Sequence, residues 1–378
     1  MLLNLTFASS IGNITLVQNL QYVANIQNYQ VMGNYYSQGT VALLGANVNA
    51  TTLIITSINF KPETFNVGNQ SSYLVSMVEF STVQIKDMSI IMGSSSQQQT
   101  ANQIVSTYTN PYIFGGIFTT VISTSINIVQ LIGDSYLTHN TNYVTSSGYL
   151  IGQSQVQSNI IIMNMCLSIN NIQQQDENFG IIGYAQGNIQ LTQISLFMSL
   201  QSKNFKRVGI IGFTSTSVML IHVSKIQSTI CLNVIGSSSY GDVGTFGLIQ
   251  SQQFQIFDSI LEYNNNNYSS VSSGGLSGYL GNSIIKVYNI VILNSNIQSQ
   301  KYCGGFVGYL IYSNIYINSA QIQQVHITST ELTYGIIAGY NIDTVYNIQQ
   351  SKSVANYFNN VLQTDCLNII NTWSVTQC

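Results

Sequence analysis

Gly274-Gly275-Leu276-Ser277-Gly278-Tyr279-Leu280 opens about thirty residues of alternating polar and β-branched sequence, and Gly304-Gly305-Phe306-Val307-Gly308-Tyr309-Leu310 opens the next thirty. Working outward from this pair, an opening glycine falls at Gly116, Gly148, Gly180, Gly209, Gly244, Gly275, Gly305 and Gly335, at spacings of 32, 32, 29, 35, 31, 30 and 30. A short apolar pair and usually a second glycine follow, as in Gly180-Ile181-Ile182-Gly183-Tyr184 and Gly209-Ile210-Ile211-Gly212-Phe213. Gly244-Thr245-Phe246-Gly247-Leu248 is a weaker copy, and Gly335-Ile336-Ile337-Ala338-Gly339-Tyr340 is shifted by one. Self-similarity at such a period marks a solenoid, a propeller or an array.

Inside each unit the apolar residues alternate: Ile189, Leu191, Ile194 and Leu196 in one, Ile315, Ile317, Ile322, Val325 and Ile327 in another. Period two over a few residues means short strands with one buried face. Two or three such strands per unit are too few for a propeller blade, and a helical period for a leucine-rich or ankyrin repeat is missing. What remains is an all-β fold, a right-handed parallel β-helix or β-solenoid, three-faced and wound in about ten or eleven coils of about 30 residues.

Residues at equal phase touch in such a stack, because neighbouring coils sit about 4.8 Å apart. Two positions before the opening glycine lie Asn178, Arg207, Asp242, Ser273, Cys303 and Thr333. Arg207 is therefore predicted beside Asp242, with Glu177 facing Lys206. Glycine at fixed phase is expected to supply a positive φ or to let one coil pass close to the next. The expected organisation is an N-terminal segment or first irregular coil at 1–38, solenoid repeats at 39–345, and an atypical last coil or cap at 346–378. Polar stretches at 94–111 and 264–267 read as loops inserted between coils.

Composition narrows the function classes. Charged residues make up 6% and hydrophobic ones 45%, the reverse of a disordered chain. Nine basic and twelve acidic residues give a net charge of −3, which offers no footprint for nucleic acid and no polybasic patch for lipid. No apolar run is long enough for a transmembrane helix, so membrane insertion is not expected. The opening Met1-Leu2-Leu3-Asn4-Leu5-Thr6-Phe7 lacks the basic region of a secretory signal. Either the protein is cytosolic or the chain as given lacks the piece that would export it, and the abrupt start inside a strand-like segment favours the second. Of the cysteines, Cys166, Cys231 and Cys303 read as small buried hydrophobes, while Cys366 and Cys378 could close a short terminal loop in an oxidising compartment.

The units at Gly274 and Gly304 resemble the GLUG-type, GGLVGY-like repeat of large bacterial and protist surface proteins, and those at Gly180 and Gly209 resemble it less closely. The resemblance covers about two-thirds of the chain. It implies a β-solenoid with a cell-surface or secreted, adhesin-like role, and it carries no catalytic residues to transfer.

For chemistry, the serious alternative is a polysaccharide lyase or hydrolase, which needs paired carboxylates on one face about 5–9.5 Å apart. Asp134 and Glu262 share a phase but lie four coils apart, about 19 Å. Asp258 and Glu262 share a coil and with a neighbouring His or Lys could approach a site, against the plainer reading of two charges on a turn edge. His139, His222 and His326 are isolated and the cysteines lack ligand spacing, so no metal is expected, and no phosphate-binding loop calls for a cofactor. His326 alternates with apolar neighbours and should point outward. The positive signal is the 24 tyrosines among Ser, Asn and Gly, a neutral adaptable surface suited to glycans or cell-surface proteins. Tyr184, Tyr279, Tyr309 and Tyr340 follow the glycine element at fixed phase, which equally fits a structural ladder. The reading is a non-enzymatic binding module, with a lyase or hydrolase and a purely structural spacer as the alternatives.

Overall fold

The computed structural model describes residues 23–36, 45–49, 52–66, 70–72, 75–92, 102–105, 112–140, 144–174, 178–202, 206–234, 241–265, 270–331, 333–354, 356–358 and 361–363. Among them every element is a strand, and the strands stack in parallel as a β-solenoid of about seven turns at about 31-residue spacing. The coil 302–331 shows the unit: strands Tyr302–Gly304, Val307–Ile311, Asn314–Asn318, Gln321–Gln323 and His326–Ser329, separated by two-residue corners.

Each residue rests on its equivalent one coil away. One interior column runs Ile126, Ile160, Ile189, Ile221, Phe254, Ile285, Ile315, Tyr346. Alternation puts these side chains inside and their neighbours outside, so the core is a continuous rod of β-branched and aromatic groups. The interior is closely filled; Phe246 meets Phe254 edge-on at 5.3 Å.

The backbone register corrects the expected alignment of the glycines. Gly115 pairs with Gly148, Gly148 with Gly180, Gly244 with Gly274, Gly274 with Gly304, and Gly304 with Gly335. The opening position is thus Gly115, Gly274 and Gly304, one residue before Gly116, Gly275 and Gly305. The reason is a bulge. Some coils place two residues between their glycines and others three, and the extra residue is absorbed by register slips after Gly148 and Gly244. The column two before the opening glycine becomes Asn178, Arg207, Asp242, Ser272, Tyr302, Thr333, so Ser272 and Tyr302 replace Ser273 and Cys303. Arg207 does sit opposite Asp242. Glu177 lies outside the described residues.

Of the two roles expected for glycine, close approach is the one found. A Cβ on Gly278 would lie 2.2 Å from the Val243 nitrogen, and one on Gly308 would lie 2.5 Å from the Ser273 nitrogen. The positive φ angles belong to other residues. Asp87, Gln130, Asn164, Gln193, Lys225, Asp258, Asn289, Ser319 and Gln350 form one column of successive coils, each with φ between 47° and 60°. These residues turn one corner of the solenoid, and the Asn and Asp members tolerate the left-handed region best. At the corner leaving the glycine-bearing sheet, the left-handed residue is followed by a hydroxyl residue: Phe80-Ser81, Ser123-Thr124, Asn282-Ser283, Tyr312-Ser313 and Asp343-Thr344. The single Ser283 hydroxyl proton lies between the carbonyls of Gly281 and Ser251, 2.8 and 2.7 Å from the hydroxyl oxygen, which accepts from the Ser251 N–H. Corner backbone that no strand can pair is satisfied this way.

Both expected loops are corrected in part. Residues Asn102–Val105 form a strand paired with 137–140, and Asn264 and Asn265 end the strand Asp242–Asn265, with Asn265 buried and bonded to the Gln298 carbonyl. Among the expected buried cysteines, Cys303 is buried, Cys231 is half-buried and Cys166 is exposed, because position 166 falls on the outer phase of its strand. Cys366 and Cys378 lie outside the described residues. Parallel pairing runs on to Phe358, where Asn356–Phe358 pairs antiparallel with Val361–Gln363.

Candidate binding surface

Two outward columns of the glycine-bearing sheet run side by side. The first is the column of Asn178, Arg207, Asp242, Ser272, Tyr302 and Thr333. The second is Tyr184, Phe213, Leu248, Tyr279, Tyr309, Tyr340. The glycine corner brings them together on the outer face, where Arg207, Asp242, Tyr302, Phe213, Tyr279 and Tyr309 are partly exposed and Tyr340 is exposed, while Asn178, Ser272 and Leu248 are buried among them. The strip has a polar end and a tyrosine end.

At the polar end Arg207 donates to the Asn178 side-chain oxygen at 3.1 Å, and its guanidinium carbon lies 4.3 Å from the centre of the Phe213 ring. Phe213 stacks on Tyr184 at 5.1 Å, and Gln186 donates to the Tyr184 hydroxyl at 2.6 Å. Asp242 accepts a short hydrogen bond from Ser272. Burial pushes the Asp242 carboxyl above its ordinary range, while the Ser272 bond and the Arg207 charge pull the other way.

At the other end four rings gather. Tyr309 stacks on Tyr340 at 5.5 Å with 7° between planes, and Tyr279 lies 5.3 Å from Tyr309. Tyr302 fills the flank, 4.9 Å from Tyr309 and 5.1 Å from Tyr340. Tyr312 stands at the next corner, 56% exposed. Burial raises the Tyr309 phenol, and the neighbouring phenols of Tyr302, Tyr279, Tyr340 and Tyr312 add to the effect. Gly281 makes room for the edge of this group, since a Cβ there would lie 2.7 Å from the Tyr279 ring. Because the rings cover one another's faces, the strip offers hydroxyls and ring edges outward, repeated at the coil spacing.

Tyr184, Tyr279, Tyr309 and Tyr340 were all legible as one phase of the repeat. Tyr302, Tyr312 and Phe213 were not singled out. Tyr302 would have been found by aligning coils on Gly304, which places it in the Arg207 column.

Asp134 and Glu262 are not brought together. Asp134, Ser168, Phe197, Thr229 and Glu262 form one column, so Asp134 and Glu262 are four coils apart as their phase implies. Asp258 is exposed at the left-handed corner and accepts from Asn289 at 2.9 Å. Glu262 lies on the strand beyond that corner, accepting from Asn264 at 3.3 Å and Thr229 at 3.5 Å. Among the described residues, no group of three His, Cys, Asp or Glu could hold a metal ion, and no helix is long and apolar enough to cross a membrane. His326 points outward and stacks on Tyr357 at 4.4 Å, and His222 lies 5.2 Å from Phe257. The His139 side chain lies outside the described residues.

The chain matches no protein-family model, no curated protein and no solved structure.

Proposed function

We propose that this chain is a non-enzymatic binding module of the surface or adhesion type, a GLUG-like β-solenoid that engages carbohydrate or protein partners through its tyrosine strip. The observation that carries the reading is the group formed by Tyr279, Tyr302, Tyr309 and Tyr340, held at 4.9–5.5 Å on a stacked scaffold beside Arg207 and Asp242. Rigid tyrosines bring contact area and hydrogen-bonding hydroxyls while losing little side-chain entropy on binding. In a chain with 6% charged residues, recognition of this kind rests on hydroxyl, amide and ring contacts rather than on long-range attraction. A repeat at the coil spacing suits a partner that is itself a repeating polymer, such as an extended neutral glycan. A cell-surface or secreted setting follows from the same reading.

The test is a glycan-array screen of the purified chain, with every hit examined for product release. Saturable binding without turnover is the expected result. Release of shortened product would transfer the case to an enzyme, with Asp258 and Glu262 the first residues to replace. Silence across the array would leave a structural spacer ahead.

A further inference from the structure

We infer that the tyrosine end of the strip is a site of oxidative cross-linking, at which Tyr340 is joined through its ring to Tyr309 or Tyr302 of the preceding coil. Three observations converge on it. The Tyr309 and Tyr340 rings are 5.5 Å apart and nearly parallel, and Tyr302 lies within 5.1 Å of both. Tyr340 is exposed, and Tyr309 and Tyr302 are partly so, which admits a small oxidant or a radical relayed from a neighbour. Tyr309 and Tyr340 are also fixed in register by backbone pairing, so the two phenols meet at every encounter rather than by diffusion.

The chemistry balances with a peroxidase-type oxidant and hydrogen peroxide. Each of two phenols gives one electron and its hydroxyl proton to the oxidant, leaving two phenoxyl radicals. These couple through the carbons ortho to oxygen, forming one carbon–carbon bond. Each ring then loses its ortho hydrogen as a proton while a proton returns to each oxygen. The net loss is two hydrogens, and one hydrogen peroxide becomes two waters. The rings need to rotate from stacked to edge-joined, with little travel.

The location gives the bond a purpose. A solenoid is held by contacts between adjacent coils only, so a covalent bond from one coil to the next adds a tie that stacking alone does not supply. Residues 338–342 belong to the last coil whose glycine-bearing strand is described, shortly before the antiparallel pair at Asn356–Phe358. A bond from Tyr340 to the coil before it ties this turn to the stack. No cystine does so among the described residues, where Cys166, Cys231 and Cys303 are free thiols.

The experiment treats the dilute, folded chain with a peroxidase and hydrogen peroxide, then digests it, denatured and reduced, with a protease that cuts after glutamate. Cleavage at Glu262 and Glu331 separates 263–331, which holds Tyr302 and Tyr309, from 332–378, which holds Tyr340. The expected product is the two fragments joined, lighter by two hydrogens, with dityrosine fluorescence and a yield independent of chain concentration. Tyr340→Phe keeps the stacked ring but cannot couple, and should abolish the joined product. Unjoined fragments from wild-type chain would overturn the inference. So would equal joining in Tyr340→Phe, or a yield that rises with concentration.

Discussion

Asp242 lies directly opposite Arg207 in the parallel register, yet burial dominates its titration and holds the carboxyl above its ordinary range. The Arg207 guanidinium is engaged with Asn178 and Phe213, and a Ser272 hydroxyl supplies the hydrogen bond that Asp242 accepts. A raised carboxyl pKa means that the folded state holds its proton more tightly than the unfolded chain. Its contribution to stability is complete below the unfolded value of 3.8 and is lost as pH rises through the folded pKa. Asp242→Asn should therefore be more stable than wild type at neutral pH, and the difference should shrink in acid. Denaturant unfolding of both proteins across that range checks the sign, and a gap that widens in acid would contradict it.

Gly308→Ala places a methyl group 2.5 Å from the Ser273 nitrogen, where the neighbour is backbone and cannot rotate away. The expected loss is about 1–3 kcal/mol, the usual range for overpacking. Thermal or denaturant unfolding measures it. A neutral result would mean that the coils are not as tightly nested as described.

Lys225 occupies the left-handed corner with φ 54° and an exposed side chain. A non-glycine residue there gives up roughly 1–2 kcal/mol of backbone energy, and glycine recovers part of this at the expense of a freer unfolded chain. Lys225→Gly should stabilise by about 0.5–1 kcal/mol, whereas Lys225→Val should destabilise. The same corner at Asn289 should gain less from glycine, because Asn tolerates this conformation better.

The thiols should separate cleanly by reactivity. Burial pushes the Cys303 thiol up to about 12, and its sulfur lies 3.1 Å from the Ile297 carbonyl, while Cys166 stands exposed. A thiol-directed alkylating reagent should label Cys166 in the folded chain and reach Cys303 only on unfolding. Peptide mapping before and after denaturation reads both sites.

For any ligand the strip binds, Tyr309→Ala should weaken affinity by about 2 kcal/mol, on the order of 30-fold, as expected for a central aromatic anchor. Tyr309→Phe keeps the ring and loses only the hydroxyl, so the pair separates packing from hydrogen bonding. Titration calorimetry with wild type and both variants is the measurement. Equal affinity in all three would move the binding surface elsewhere on the solenoid.

Much of the architecture is written in the sequence. A glycine every thirty or so residues and apolar alternation inside each unit demand short strands that stack on their own copies, since one coil cannot bury its inner face alone. From that period the pairing of Arg207 with Asp242, the shared column of Asp134 and Glu262, and the common phase of Tyr184, Tyr279, Tyr309 and Tyr340 all follow. Tertiary structure alone decided the rest. Whether a coil aligns on Gly274 or Gly275 depends on which residue the bulge absorbs, a choice made by backbone hydrogen bonds rather than by side-chain type. The left-handed corner at Asp87, Gln130, Asn164, Gln193 and Lys225 has no common residue, because the stacked coils impose the turn and each side chain only has to tolerate it. The joining of Tyr302 to Tyr309 and Tyr340 likewise waits for the corner between them to fold the two outward columns side by side.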